Sequence, residues 1–127
     1  MKRVLFVCVE NSNRSQMAEA FARMLAGDDI EAMSAGSRPS GRINPRAVAA
    51  MAAMGYDLSS HASKSLDDVH GTFDAVITMG CGDDCPWLPA HHREDWGLPD
   101  PRHMNEVDYH AVRDEIGARV RELLSKL

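Results

Sequence analysis

Short apolar runs alternate along this chain with segments of helical periodicity. Arg3–Val7 is bulky and largely β-branched or aromatic, and Phe73–Met79 is rich in apolar residues. Both patterns are typical of buried parallel strands. Ile30–Ala35 predicts another strand, ended by Gly36, and His92–Trp96 predicts a fourth, shorter one.

Helical patterns lie between and after these strands. From Ser15 onward, apolar residues fall on one helical face, namely Met17, Phe21, Met24 and Leu25. The Asn44-Pro45 pair is typical of a helix start, and Ser65 predicts the cap of a short helix running to about His70. A final helix begins near Glu106, and its apolar stripe consists of Tyr109, Val112, Ile116, Val120, Leu123 and Leu127.

The alternation of strand and helix favours one α/β domain over residues 1–127. We expect a four-stranded parallel sheet, wound as in flavodoxin, with helices on both faces. Ligands bind to such open sheets outside the carboxyl ends of the strands. Three loops are predicted to converge there: the loop after Cys8, the polar loop with Cys81 and Cys85, and the rigid loop Leu98–Pro101.

Composition limits the classes of partner. The chain has 127 residues and a net charge of −5 without a basic run, so we expect no nucleic-acid or membrane partner. The longest apolar run, Val4–Val9, is too short to span a bilayer, and we expect a cytoplasmic monomer. Three cysteines are an odd number for a disulfide framework, so they indicate catalytic thiols or metal ligands.

The segment from Cys8 to Ser15 carries the candidate chemistry. It joins a strand to a helix, where unpaired N–H groups and the positive end of the helix dipole favour an anion. A thiol at Cys8 is favoured there as the nucleophilic thiolate, and Arg14 offers a planar fork that matches a tetrahedral oxyanion. The alternative is a buried structural cysteine beside a surface arginine. The strand–loop–helix context favours the oxyanion site. Its predicted lining is Val9, Glu10, Asn11, Ser12, Asn13 and Arg14.

Six segments carry a resemblance to a known family. They are V-C-V-E-N-S-N-R-S-Q-M-A-E-A-F (residues 7–21), M-S-A-G-S (33–37), G-Y-D-L-S-S-H-A-S-K-S-L (55–66), C-G-D-D-C-P-W-L-P (81–89), D-W-G-L-P-D-P (95–101) and V-R-D-E-I (112–116). On these motifs the chain resembles, over nearly its whole length, the arsenate reductases built on the low-molecular-weight protein tyrosine phosphatase fold. Cys-x5-Arg-Ser is shared with the phosphatases, whereas the distal cysteines and Trp-Gly-x-x-Asp-Pro resemble the reductases.

The resemblance implies a role for each matching residue. Cys8 is expected to attack arsenic, Arg14 and the loop amides to hold the oxyanion, and Ser15 to donate a hydrogen bond to the thiolate. Asp100, which precedes a proline, is expected to protonate the leaving oxygen as the general acid. Taken alone, an Asp-Pro pair is a common turn. His61 is expected to lie behind the loop as a hydrogen-bonded residue.

The reduction of arsenate to arsenite needs two electrons, which one thiol cannot supply. We therefore predict a relay in which Cys81 attacks Cys8, and Cys85 then forms a Cys81–Cys85 disulfide. The predicted reductant of that disulfide is thioredoxin, with glutaredoxin and mycothiol as open alternatives. Phosphate and sulfate are expected to compete with arsenate, and neither a metal nor another cofactor is implied.

Two loop positions depart from the family pattern. Glu10 stands where Gly is common, and it either points outward or weakens the binding of doubly charged oxyanions. Asn13 stands where Cys is often found, which leaves the distal thiols as the partners of Cys8.

A third departure concerns support of the loop. Some reductases of this type hold a potassium ion with residues that match Asn11, Glu19 and Ser34, together with an acidic residue. The position of that acid matches Lys64 here. The Lys64 ammonium either replaces the ion beside Glu19 or is a solvated surface group.

Two other functions remain open. A low-molecular-weight protein tyrosine phosphatase would need the nucleophile, the arginine and the acid, but no distal thiols. That branch usually has tyrosines after its Asp-Pro, where this chain has Arg102-His103. A metal or metalloid binding module is the third reading, with Cys81, Cys85 and His91-His92 as ligands, although their spacing is not a standard zinc one.

Overall fold

The computed structural model describes residues 1–80 and 88–127. The elements in chain order are β1 (Lys2–Cys8), α1 (Arg14–Leu25), β2 (Ile30–Gly36), α2 (Pro45–Ala52), two 3₁₀ helices (Leu58–Ser60 and Leu66–Asp68), β3 (Phe73–Thr78), β4 (Ala90–Asp95) and α3 (Glu106–Ser125). The predicted strands and long helices are confirmed, although β4 begins two residues earlier than expected. None of the helices in these two ranges is long and apolar enough to cross a membrane.

The four strands form one parallel sheet in the order β2-β1-β3-β4, which confirms the predicted flavodoxin-like winding. β1 lies between β2 and β3, so the chain leaves β1 towards one edge of the sheet and later returns on its other side. This reversal opens a crevice at the carboxyl end of the central strand. Cys8 is the last residue of β1, where it pairs with Gly36 of β2.

Local chemistry explains where the helices begin. The Asn44 side chain accepts a hydrogen bond from the Arg46 amide at 2.9 Å, and Pro45 occupies the first turn of α2. Ser65 caps the second 3₁₀ helix as predicted, in a capping box. The expected helix to His70 is wrong, however, because the backbone is already extended at Val69.

Two apolar clusters cover the faces of the sheet. The larger one joins one face of β1 to all three α-helices, and its members include Val4, Phe6, Met17, Met51 and Ile116. The smaller one joins the other face to the second 3₁₀ helix, and its members include Leu5, Val7, Leu66, Val69 and Val76. All three α-helices thus pack on one face of the sheet, and on the other face the only described helical element is the second 3₁₀ helix. Burial of β1 on both sides fixes its carboxyl end.

Candidate active site

The Cys8 thiol lies at the end of β1, where it is almost completely buried and free of any disulfide. Its sulfur is 2.8 Å from Ser15 Oγ, in the first turn of α1. The same oxygen accepts a hydrogen bond from Asn11 Nδ2 at 2.9 Å. Because the serine oxygen already accepts from Asn11, its own proton can point at the sulfur. This arrangement places a hydrogen-bond donor at the sulfur of the candidate nucleophile.

The backbone between Cys8 and Arg14 turns its carbonyls away from the cavity. The carbonyl oxygens of Val9, Glu10 and Ser12 accept hydrogen bonds from the amides of residues 38, 40 and 44, at 2.8, 3.0 and 3.0 Å. In a planar trans peptide the following N–H points in the opposite direction. The amides of residues 10, 11 and 13 are therefore directed towards the interior of the loop, which suits an oxyanion.

Asn11 holds the shape of this loop. It is a non-glycine residue in the left-handed region, with φ of 51°, a conformation that Asn adopts more readily than most side chains. Its carboxamide is fully buried, and its oxygen accepts from Gln16 Nε2 and from the Lys64 amide, both at 2.9 Å. The loop is thus pinned from α1 and from the segment before the second 3₁₀ helix.

A buried carboxylate, Glu19, lies behind the loop. Ser34 Oγ donates to it at 2.6 Å, Arg23 Nε donates at 2.8 Å, and Lys64 Nζ lies 3.9 Å away. The predicted proximity of Lys64 to Glu19 is therefore present in the structure, with a side chain that is 30 % exposed. A buried charge needs such partners.

His61 packs against the same carboxylate. Its Nδ1 lies 2.9 Å from Gln16 Oε1, an acceptor, so this nitrogen carries the hydrogen; Nε2 lies 2.6 Å from the Tyr56 hydroxyl, which donates to it. Burial lowers the pKa of His61 below its usual value, and the charge of Glu19 opposes this shift. The neutral ring therefore braces the back of the loop, where the sequence placed it.

Arg14 connects the loop with the far side of the cavity. Its Nη1 donates to two backbone carbonyls, those of Met79 and Leu98, at 2.8 and 2.7 Å. These contacts orient the guanidinium plane, and the side chain lines the cavity beside Cys8. A planar fork fixed in this way is suited to a tetrahedral oxyanion.

Asn13 is held by Tyr109, which belongs to the predicted apolar stripe of the last helix. The buried Tyr109 hydroxyl, from α3, donates to Asn13 Oδ1 at 2.6 Å, and the Arg46 guanidinium stacks 4.4 Å above the Tyr109 ring. Burial raises the pKa of Tyr109 to about 12. The sequence did contain a signal for this contact. Tyr109 is the one tyrosine in an otherwise aliphatic stripe, and a buried tyrosine hydroxyl needs a hydrogen-bond partner. Gln16 was also missed, since a polar residue near a helix N-terminus is usually solvated.

Charged side chains surround the mouth of the cavity. Arg102 Nη1 lies 3.1 Å from Glu10 Oε2, and Arg102 Nε lies 3.3 Å from Asp100 Oδ2. The Arg102 amide also donates to Asp100 Oδ1 at 3.1 Å. Glu10 is thus directed towards Arg102 at the rim of the cavity that it lines.

Seven of the fifteen predicted site residues line one cavity of about 470 Å³ in the described part of the chain. Its walls are formed by Cys8, Val9, Glu10, Ser12, Asn13, Arg14, Arg38, Asp100 and Arg102. The Cys8 and Asp100 loops therefore meet at the carboxyl edge of the sheet, as expected. Arg38 and Arg102 were not among the predicted site residues. Three arginines make this cavity locally positive in a chain of net negative charge.

The predicted relay cysteines, Cys81 and Cys85, lie outside the described residues. Within residues 1–80 and 88–127, no group of three or more His, Cys, Asp or Glu side chains is arranged to hold a metal ion. Of the two histidines considered as ligands, His92 pairs with Glu94 at 2.9 Å on exposed β4.

The chain is similar over nearly its whole length to known proteins. Residues 3–127 match the family model described as low molecular weight phosphotyrosine protein phosphatase. A glutaredoxin arsenate reductase from Synechocystis is 38 % identical over 131 residues, covering 100 % of this chain and 99 % of the relative.

Solved structures of arsenate reductases are also similar to this chain in fold and sequence. One, of an arsenate reductase in the phosphate-binding state, has a TM-score of 0.91 at 38 % identity and covers 99 % of this chain and 98 % of its own. Another, of a thioredoxin-dependent arsenate reductase from Corynebacterium glutamicum, has a TM-score of 0.83 at 40 % identity; the match covers 99 % of this chain and 61 % of that one.

Proposed function

This chain belongs to the low-molecular-weight phosphotyrosine protein phosphatase family, and we propose that within it the protein acts as an arsenate reductase. The observation that carries this proposal is the buried Cys8 thiol, which is hydrogen-bonded to Ser15 and lines a cavity together with three arginines and Asp100. The full-length similarity to reductases named for glutaredoxin and thioredoxin supports a thiol-coupled reaction.

The arrangement of the cavity supports the proposed first step. The Cys8 thiolate attacks the arsenic of arsenate, whose oxygens are held by the loop amides and Arg14. An As–O bond breaks, and Asp100 protonates the departing oxygen, which leaves as water or hydroxide. The product is a covalent Cys8–arsenic(V) adduct, so no electron has yet been transferred.

The redox step uses the distal thiols. The Cys81 thiolate attacks Cys8 Sγ, an S–S bond forms, and the electron pair of the S–As bond stays with arsenic, which leaves as arsenite. Cys85 then attacks Cys81, which releases the Cys8 thiolate and leaves a Cys81–Cys85 disulfide. A dithiol protein of the thioredoxin type reduces that disulfide and supplies the two electrons.

The primary experiment measures arsenate-dependent oxidation of a coupled thioredoxin system, with glutathione and glutaredoxin in a parallel assay. The wild-type protein should turn over arsenate, and Cys8→Ser should abolish turnover while leaving the far-UV circular dichroism unchanged. Hydrolysis of an aryl phosphate without arsenate-dependent oxidation would contradict the reductase and favour the phosphatase, which needs the same Cys8, Arg14 and Asp100.

A trapping experiment tests the relay. After one turnover, Cys85→Ser should accumulate a Cys8–Cys81 disulfide, and Cys81→Ser should stall before any disulfide to Cys8 forms. A Cys8–Cys85 disulfide in single-turnover mixtures would reverse the order of attack. Sustained turnover with both distal cysteines replaced, on glutathione or mycothiol alone, would rule out the relay. Metal analysis of the purified protein tests the binding-module alternative.

A further inference from the structure

We propose that Arg102 is a positioning residue that ties the acid Asp100 to the loop residue Glu10 across the mouth of the cavity. This inference rests on the proposed function, because it concerns the protonation of the leaving oxygen. Arg102 and Glu10 both line the cavity that holds Cys8, and neither is assigned a step at the sulfur. They act through Asp100.

One guanidinium makes both contacts through different nitrogens. Nη1 lies 3.1 Å from Glu10 Oε2, and Nε lies 3.3 Å from Asp100 Oδ2. Glu10 and Arg102 are separated by 92 residues in the sequence, so the bridge joins two independent loops. A planar fork can serve two carboxylates at once, whereas a lysine ammonium is a single point of charge.

The backbone beneath the bridge is anchored separately. Arg46, from α2, donates through Nη1 to the carbonyl of Arg102 at 3.1 Å and to that of Pro101 at 3.5 Å. Asp100 Oδ1 accepts from the Arg102 amide at 3.1 Å. The segment is therefore fixed to the body of the protein, and the Arg102 side chain fixes the position of its acid relative to the anion loop.

The bridge also explains how a carboxylate is accommodated beside an anion. Unpaired, Glu10 would repel a doubly charged oxyanion in the cavity that it lines. Paired with Arg102, its charge is compensated at 3.1 Å. In this interpretation Glu10 is the anchor of Arg102, and its removal should impair catalysis despite removing a negative charge.

The expected effects are modest because the bridge faces solvent. The side chains of Glu10 and Arg102 are each 46 % exposed, and that of Asp100 is 43 % exposed. Exposed ion pairs are weak, which corresponds to changes of about two- to five-fold in a rate. The test must therefore distinguish the positioning of Asp100 from the effect of the Glu10 and Arg102 charges on the bound anion.

Three variants make that separation. Arg102→Lys keeps the charge but cannot hold both carboxylates, and Glu10→Gln removes the anchor. Arg119→Lys is the matched control, because Arg119 pairs with Glu115 at 3.2 Å on the solvent-facing side of α3 and does not line the cavity. For each full-length variant we would measure kcat, KM, inhibition by inorganic phosphate, and deuterium uptake by the amides of residues 102–104.

We expect Arg102→Lys and Glu10→Gln to lower kcat about two- to five-fold and to raise deuterium uptake at residues 102–104. Phosphate inhibition should be unchanged in Arg102→Lys, and Arg119→Lys should match the wild type throughout. An unchanged kcat with higher kcat/KM in Glu10→Gln would overturn the proposal, because Glu10 would then act only by repulsion. Unchanged deuterium uptake would equally overturn it. Absence of arsenate turnover in the wild type would refute the proposed function instead, and deuterium uptake would still decide whether the bridge exists.

Discussion

The two sides of the Cys8 cavity are built differently. The thiol side is buried, and its polar groups are connected by short hydrogen bonds from Cys8 through Ser15 and Asn11 to Gln16. The acid side is exposed, and Asp100 is held there by an ion pair with Arg102 that water and salt can weaken. Buried networks rigidify a structure, whereas exposed pairs contribute little to stability.

This difference indicates a division of labour. In the proposed mechanism, the thiol side must keep its geometry constant through every redox state, because it would hold the oxyanion and the nucleophile. The acid side would only have to deliver one proton, and it would have to let a substrate enter and a second thiol approach. We therefore expect changes on the thiol side to have large effects and changes on the acid side to have small ones.

The largest effect is expected where the two sides are joined. Arg14→Lys should lower kcat/KM by about 100-fold or more, since an ammonium cannot both bind two carbonyls and offer a fork to the oxyanion. The steady-state arsenate assay measures this. Arg42→Lys, on an exposed arginine that is not part of the cavity wall, is the control. More than one-tenth of wild-type kcat/KM in Arg14→Lys would contradict a specific role for the fork.

A second substitution, Gly36→Ala, should disturb the backbone of the loop on the thiol side. Gly36→Ala places a Cβ 2.5 Å from the Val9 carbonyl oxygen and 3.0 Å from the Asn11 amide. Because both are backbone atoms of the loop, we expect a loss of about 1–3 kcal/mol in the free energy of unfolding. We also expect bound phosphate to protect Cys8 less well against an alkylating reagent.

Urea unfolding of Gly36→Ala provides the measurement. Gly27→Ala is the matched control, because its Cβ meets only the movable Asp29 carboxylate at 3.3 Å. Equal stability of the two variants would show that the loop can shift without cost, in contrast to the rigidity expected of the thiol side.

A smaller effect should appear in the pH dependence of stability. Burial lowers the pKa of folded His61 below 6.5, so the unfolded chain binds more protons in that range. The stabilisation is therefore present above about pH 6.5 and is lost as the pH falls through the lowered pKa of the folded state. His61→Gln should reduce this slope, as measured by urea unfolding between about pH 5 and 8. His110→Gln, at a partly exposed histidine of α3, is the matched control variant.

The smallest effect concerns the cation behind the loop. With the Lys64 ammonium 3.9 Å from Glu19, we expect wild-type turnover to differ less than two-fold between potassium and sodium at equal ionic strength. Lys64→Asp introduces the acidic residue that the potassium-binding reductases have at this position. Turnover of this variant should therefore be faster in potassium than in sodium. Marked stimulation of the wild type by potassium would contradict the replacement of an ion by Lys64.

The thiol side could be predicted largely from the sequence because its chemistry is local. Cys8, Arg14 and Ser15 lie within one strand–loop–helix segment, and the alternation of strands and helices placed that segment at the carboxyl edge of the sheet. The short 3₁₀ helix Leu58–Ser60 was missed, because three residues are too few to show periodicity.

The contacts that join distant segments could not be predicted in the same way. Tyr109 reaches Asn13 across 96 residues, and Arg102 reaches Glu10 across 92. Such pairs depend on how α3 and the Asp100 loop pack against the sheet, which periodicity does not specify. Exposed charged residues such as Arg102 are also common on any surface, so their type alone carried no signal.

The left-handed backbone conformation of Asn11 restricts which residues position 11 can tolerate. Glycine would satisfy the φ of 51° but would lose the carboxamide, and aspartate would keep acceptors for Gln16 and Lys64 but lose the donor to Ser15. Each of the two simplest replacements therefore fails one of two independent demands. In a library of random variants selected for function, position 11 should be nearly as invariant as the nucleophile itself, although Asn11 contacts the sulfur only through Ser15.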